Sequence, residues 1–183
     1  TAAIEAYRLG LEYLPEEIWI GRWSCYQGLG RIYTEQGKLE DARHAVEEAA
    51  TAHRTSAGQN WWRLVWLQGD IALEDKDFKS AERLLREARG GFTDLGNPLD
   101  VALVSLRLAK VLLMAGRVVE MQALAAEMMR LLKPLEKNRI AGGAVYEFTC
   151  AALAGEVTVD LLDSLFKKLE ESASCIGGTW EVR

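Results

Sequence analysis

The chain has 183 residues, 49% hydrophobic and 27% charged, with only three prolines; this balance excludes a disordered polymer and favours helix nearly throughout. A formal charge of −5 and a pI near 5.2 argue against a phosphate-backbone binder, so no nucleic-acid partner is expected. Cys25, Cys150 and Cys175 are odd in number and form no CxxC pair, which points away from a disulfide framework or zinc site and toward a reducing, cytoplasmic setting; no apolar run is long enough to suggest a membrane partner.

In chain order, "AIEAYRLGLEYLP" reads as a helix already under way at Thr1, so the chain is expected to be a piece of a longer protein. Pro15 followed by Glu16 and Glu17 predicts the start of the next helix, because proline loses nothing in a first turn and acids suit its positive end. The segment "YQGLGRIYTEQGKLEDARHAVEEA", residues 26–49, then has a sister in "VWLQGDIALEDKDFKSAERLLREA", residues 65–88. Gly30 aligns with Gly69, Ile32 with Ile71, Ala42 with Ala81 and Ala49 with Ala88, each pair 39 residues apart. One step back, Ala42 and Val46 fall on Ala3 and Tyr7, the second helix of a pair whose first helix is absent.

Forward, the pattern returns at a spacing of 40 in "VSLRLAKVLLMAGRVVEMQALAAEMM", with Ala109 near the place of Gly69 and Gly116 in the turn matched by Gly37 and Lys76. Apolar residues recur at three- and four-residue steps and no segment alternates as a strand does, so each unit predicts two helices. Gly37 and Gly116 suit a turn at positive φ, and Gly30, Gly69 and Ala109 let another helix approach closely. Asn97-Pro98 and Lys133-Pro134 predict further helix starts, and a last helical pair is expected over 140–154 and 157–173. The result is an all-α, antiparallel helix-pair solenoid of about 3.5 to 4 repeats. It reads as a single domain over 1–183: a half repeat 1–15, repeats at about 16–54, 55–96 and 97–137, a degenerate repeat or cap 138–175, and a tail 176–183.

Tyr26, Leu29, Gly30, Tyr33, Ala42, Val46 and Ala49 resemble the marked positions of the tetratricopeptide repeat (TPR). Val65, Gly69, Ala72, Ala81, Leu85 and Ala88 repeat most of them, with Gln68 in place of leucine, and the third unit has Met121 in place of alanine. The units are longer than the family's usual length of about 34 residues, which is similar to the long-repeat variety of MalT-like bacterial regulators. The resemblance implies a right-handed superhelix that binds a protein or peptide on the concave face of its first helices. Carried over residue by residue, it gives Ser24, Gln27, Arg31, Thr34 and Glu35 in the first unit, Arg63, Trp66, Asp70, Leu73 and Glu74 in the second, and Leu103, Leu106, Lys110, Leu113 and Met114 in the third. Of these it nominates Gln27, Arg31, Glu35, Arg63, Trp66, Asp70 and Lys110, with Trp66 either facing the groove or packed by the adjacent repeat. Leu103 and Leu106 share the third unit's set but are expected to be buried by a neighbouring helix. Gly28 and Leu67 stand where the family's carboxylate clamp wants asparagine, so that clamp is not reproduced.

Catalytic chemistry finds no anchor. "QGLGRIY" lacks the third glycine and the preceding strand of a dinucleotide loop, and "TEQGKL" lacks the leading glycine and final Ser or Thr of a phosphate loop. His44 and His53 have no metal-ligand pattern around them. No catalytic, cofactor-binding or metal-ligating residue is nominated, no cofactor is expected, and the chain is not expected to be an enzyme. The expected function is a protein-protein or peptide interaction module, a C-terminal scaffold part of a larger bacterial regulatory or signalling protein. The alternatives are a sensory domain that binds a small molecule or peptide, and a self-association segment, a homo-oligomer using Trp19, Trp23, Trp61 and Trp62.

Overall fold

The computed structural model describes residues 2–52 and 58–175, with side-chain surroundings up to residue 172. His53 and the tail expected at 176–183 lie outside the described residues. Among those residues the secondary structure is entirely helical: α1 Ala2–Tyr13, α2 Trp19–Glu35, α3 Leu39–Ala52, α4 Gln59–Glu74, α5 Phe78–Asp94, α6 Pro98–Met114, α7 Val118–Met128, a 3-10 turn Met129–Leu131, α8 Arg139–Ala154 and α9 Val159–Cys175. Among them no helix is long and apolar enough to cross a membrane.

The helix turns share one backbone solution. After α2 the N–H of Lys38 donates to Tyr33 O at 2.9 Å and that of Gly37 to Thr34 O at 3.0 Å, the paired bonds that satisfy the last carbonyls of a helix when the next residue takes a left-handed conformation. Gly37 and Gly116 adopt it at φ 70° and 72°, and Lys76 adopts it at φ 62° without a glycine's freedom. Just beyond Lys76, Asp77 Oδ1 accepts from Ser80 N at 3.1 Å at the head of α5. The hydroxyl and backbone N–H of Ser80 hold the Asp77 carboxyl below its ordinary range.

Two of the expected helix starts are corrected. Pro15, Glu16 and Glu17 lie in the connection between α1 and α2, where Ile18 N donates to Pro15 O at 3.1 Å, and α2 begins at Trp19. The residue before a proline avoids helical φ/ψ, so Pro15 ends α1 rather than opening α2. Lys133-Pro134 likewise precedes α8, which is capped by Asn138 through a 3.0 Å bond from Ala141 N. Asn97-Pro98 is a helix start: Asn97 accepts from Asp100 N at 3.2 Å and Pro98 is the first helical residue.

The chain divides into two compact units at Leu84 and Leu85, within α5. In the first, α1 packs on α2, α2 on α3, and α4 on both α2 and α3. The buried stripe of α3 is Ala42, Ala45, Val46 and Ala49, small enough for α2 to lie close. At Gly30 of α2 an added Cβ would stand 2.9 Å from Leu67 Cδ2 and 3.5 Å from Val46 Cγ2, so three helices meet where the side chain is missing.

The second unit is closed differently. Arg89 of α5 donates to Ser105 Oγ at 3.0 Å and reaches Glu127 of α7 at 2.9 Å. Helix α6 packs on α7, α7 on α8 and α8 on α9, and α9 returns to pack on α6. An open stack of helix pairs does not require that last contact. It explains why α6 is buried nearly all round, with Leu103 and Leu106 at 1% exposure and Leu108 and Leu112 at 0%.

Candidate functional site

In the first unit, α1 and α2 enclose a groove of about 570 Å³ lined by Tyr7, Leu14, Ile18, Ile20, Gly21, Ser24, Cys25, Gln27, Gly28, Arg31, Ile32 and Glu35. The α2 residues recur every three or four positions, so one helical face supplies nearly the whole wall. Arg22, on the other side of α2, donates to Leu11 O and Leu14 O, each at 3.0 Å. These bonds satisfy carbonyls at the end of α1 and fix it against α2. Arg8 adds a 3.0 Å bond to the Tyr33 hydroxyl.

Tyr7 and Gly28 set the depth of the groove. A Cβ at Gly28 would lie 2.4 Å from Tyr7 Cζ, so the ring rests directly on the glycine backbone. Gln27 is 6% exposed and forms a polar patch of the floor, while Ser24 Oγ donates back to Ile20 O at 2.9 Å. Arg31 and Glu35, at 30% and 69% side-chain exposure, form an i,i+4 pair at 3.9 Å, a loose and solvated contact of little energy. The Cys25 sulfur would meet a Cβ at Gly10 at 2.9 Å, which places the thiol at the α1–α2 contact. Burial pushes its pKa up, and the Arg22 charge only partly offsets this; the protonated thiol is a poor nucleophile.

Of the seven nominated residues, Gln27, Arg31 and Glu35 converge on this groove, together with Ser24. The second set does not line it. Trp66, which the sequence leaves open between groove and packing, is 4% exposed; Arg63 and Asp70 are half-buried, and all three are already engaged in interactions. Lys110 is corrected: it donates to both Asp163 oxygens at 2.8 Å, at 14% side-chain exposure. Beside it Arg107 sits 3.9 Å from the centroid of the Phe166 ring. Helix α9 thus lies on the face of α6 expected to be concave. Trp23 is 4% exposed, and Trp61 is half-buried against the core of the first unit, so these two offer little to a tryptophan interface.

Tyr7, Ile20 and Ile32 escaped the sequence reading of the site, since the carried-over positions are a fixed set of places on first helices that leaves out α1 and both isoleucines. The 39-residue register offered the missing signal, because it places Tyr7 at the position of the core residue Val46. Among the described residues no three His, Cys, Asp or Glu side chains converge on a common point. The groove offers an amide, a hydroxyl, a loose ion pair and apolar walls, which suits hydrogen bonding and shape recognition. Comparison with protein families, curated proteins and solved structures found no match.

Proposed function

We propose that the chain is a protein-protein or peptide interaction module that uses the α1–α2 groove of its first unit. The observation that carries this reading is the convergence of Ser24, Gln27, Arg31 and Glu35 with Tyr7, Ile20 and Ile32 around one cavity of about 570 Å³. Apolar walls supply the binding area, and a few fixed polar groups supply orientation. The TPR-like reading of the fold, a right-handed solenoid of helix pairs, is supported by Gly30, Ala42 and Ala49, which are buried where helices meet. On that reading the module serves a larger cytoplasmic bacterial regulatory or signalling protein.

The test is selection of peptides on the folded chain from a displayed library, followed by affinity measurement on Ser24→Arg and Arg31→Ala. A loss of about tenfold or more in the Ser24→Arg variant is expected. Selected peptides that bind both variants undiminished would remove the groove from the account. The groove volume also lies within the range of about 300–1,000 Å³ typical of small-molecule sites, which favours the sensory-domain reading as the second choice. A ligand bound only by the folded state raises its melting temperature, so a thermal-shift screen separates the two.

A further inference from the structure

The second unit keeps an apolar face that its own helices leave bare. Helix α7 turns Met121, Leu124, Ala125 and Met128 inward, so the stripe Val119, Ala123, Ala126 and Arg130, at steps of three and four residues, faces out. Helix α8 buries Ala141, Ala144, Val145, Phe148, Thr149 and Ala152 and exposes the stripe Arg139, Gly143, Tyr146, Cys150 and Leu153. Two bonds align the stripes: Gln122 Nε2 donates to Ala152 O at 2.9 Å, and Thr149 Oγ1 donates to Ala125 O at 3.3 Å. The helices therefore run antiparallel, with Val119 beside Leu153 at one end of the face.

Val119 is 79%, Leu153 71% and Tyr146 57% exposed. With Ala123, Ala126, Met129 and Cys150 they present on the order of 600 Å² of surface, the upper end of what a monomer ordinarily shows in one patch. Its charged rim brings the face toward the roughly 800 Å² per partner of a stable interface. Charge is divided between the two ends. Arg130, Lys133, Lys137 and Arg139 gather at one, with Glu136 as the single acid among them. Glu156 and Asp160 follow Leu153 at the other, where Arg117 is paired with Glu120.

A partner of one sign of charge would suit one end of this face and be repelled by the other. A second copy turned by a two-fold axis suits both, because each basic end then lies over an acidic end. The same rotation sets the small middle, Ala123, Ala126 and Cys150, against itself, and brings Val119 and Leu153 against Tyr146 and Met129. We propose that the outer face of α7 and α8 pairs with the same face of a second copy, about a two-fold axis close to Cys150. This surface is separate from the α1–α2 groove and does not depend on it.

Sedimentation of the chain over a range of concentrations tests this pairing. A monomer–dimer equilibrium is expected. Leu153→Glu and Ala126→Arg each raise the dimer dissociation constant by about tenfold or more; both positions are exposed, so the variants retain the fold, and circular dichroism checks it. Arg139→Glu weakens the dimer by setting like charges against each other, and Glu156→Arg added to it restores association. A double variant as weak as Arg139→Glu alone overturns the two-fold arrangement. A chain that stays monomeric throughout overturns the pairing, as does a dimer indifferent to Leu153→Glu and Ala126→Arg. A monomer that instead adheres to anionic lipid vesicles, and loses that adhesion in the same two variants, gives the face to a lipid surface and overturns the second copy.

Discussion

Helices α2 and α6 occupy the same place in the repeat and meet opposite fates. Ser24, Gln27 and Arg31 of α2 line an open groove, whereas the corresponding Leu103 and Leu106 of α6 are buried and Lys110 is paired with Asp163 of α9. The basic residue at the third of these places shows the difference most clearly. Arg31 makes a loose pair with Glu35 of its own helix at 3.9 Å, while Lys110 is held by both oxygens of Asp163 from α9. A position in a repeat stays open or becomes core according to whether another helix covers it.

The largest expected effect comes from cutting the covered face. Leu106→Ala removes a side chain 1% exposed and should cost about 2–5 kcal/mol in urea unfolding, against no more than about 0.5 kcal/mol for Ile20→Ala on the open face. Equal costs would erase the distinction. Next, Gly28→Ala forces the Tyr7 ring off the backbone and should cost about 1–3 kcal/mol. Part of that should return in the Tyr7→Ala, Gly28→Ala double variant, because the two residues touch.

The two basic residues give a smaller contrast. Lys110→Met should cost about 1–2 kcal/mol, below the value for a fully buried pair because the Asp163 side chain is 45% exposed. Arg31→Met should cost about 0.5 kcal/mol or less. Smallest is the shared turn: Lys76→Gly should stabilise by about 0.5–1 kcal/mol, since the strain of a left-handed lysine exceeds the chain entropy that glycine loses. The shift in denaturation midpoint measures each.

Local features were legible in the sequence because they rest on local physics. The 39-residue register placed Gly30, Ala42, Val46 and Ala49 at helix contacts, and the turn at Gly37, Lys76 and Gly116 takes positive φ in all three cases. The prolines misled at Pro15 and Pro134, because proline closes one helix as readily as it opens another; Asn138, whose side chain accepts from Ala141 N, was the better marker. The return of α9 to α6 was not legible, since a non-sequential partner leaves no period in the chain. Trp66, at 4% exposure, is as buried as its register counterpart Gln27 at 6%, and the sequence left its packing open. Gln27, Arg31 and Glu35, named from the sequence, line the groove. Its apolar half, above all Tyr7 over Gly28, depends on a contact between helices that spacing along one helix does not encode.

The most direct test of this contrast is methyl NMR with a soluble paramagnetic agent, which attenuates signals according to their exposure. Strong attenuation is predicted for the Ile20 methyl groups at the groove, and little for those of Leu103 and Leu106, buried in α6. Comparable attenuation of all three would contradict the account, because α6 would then be as open as α2.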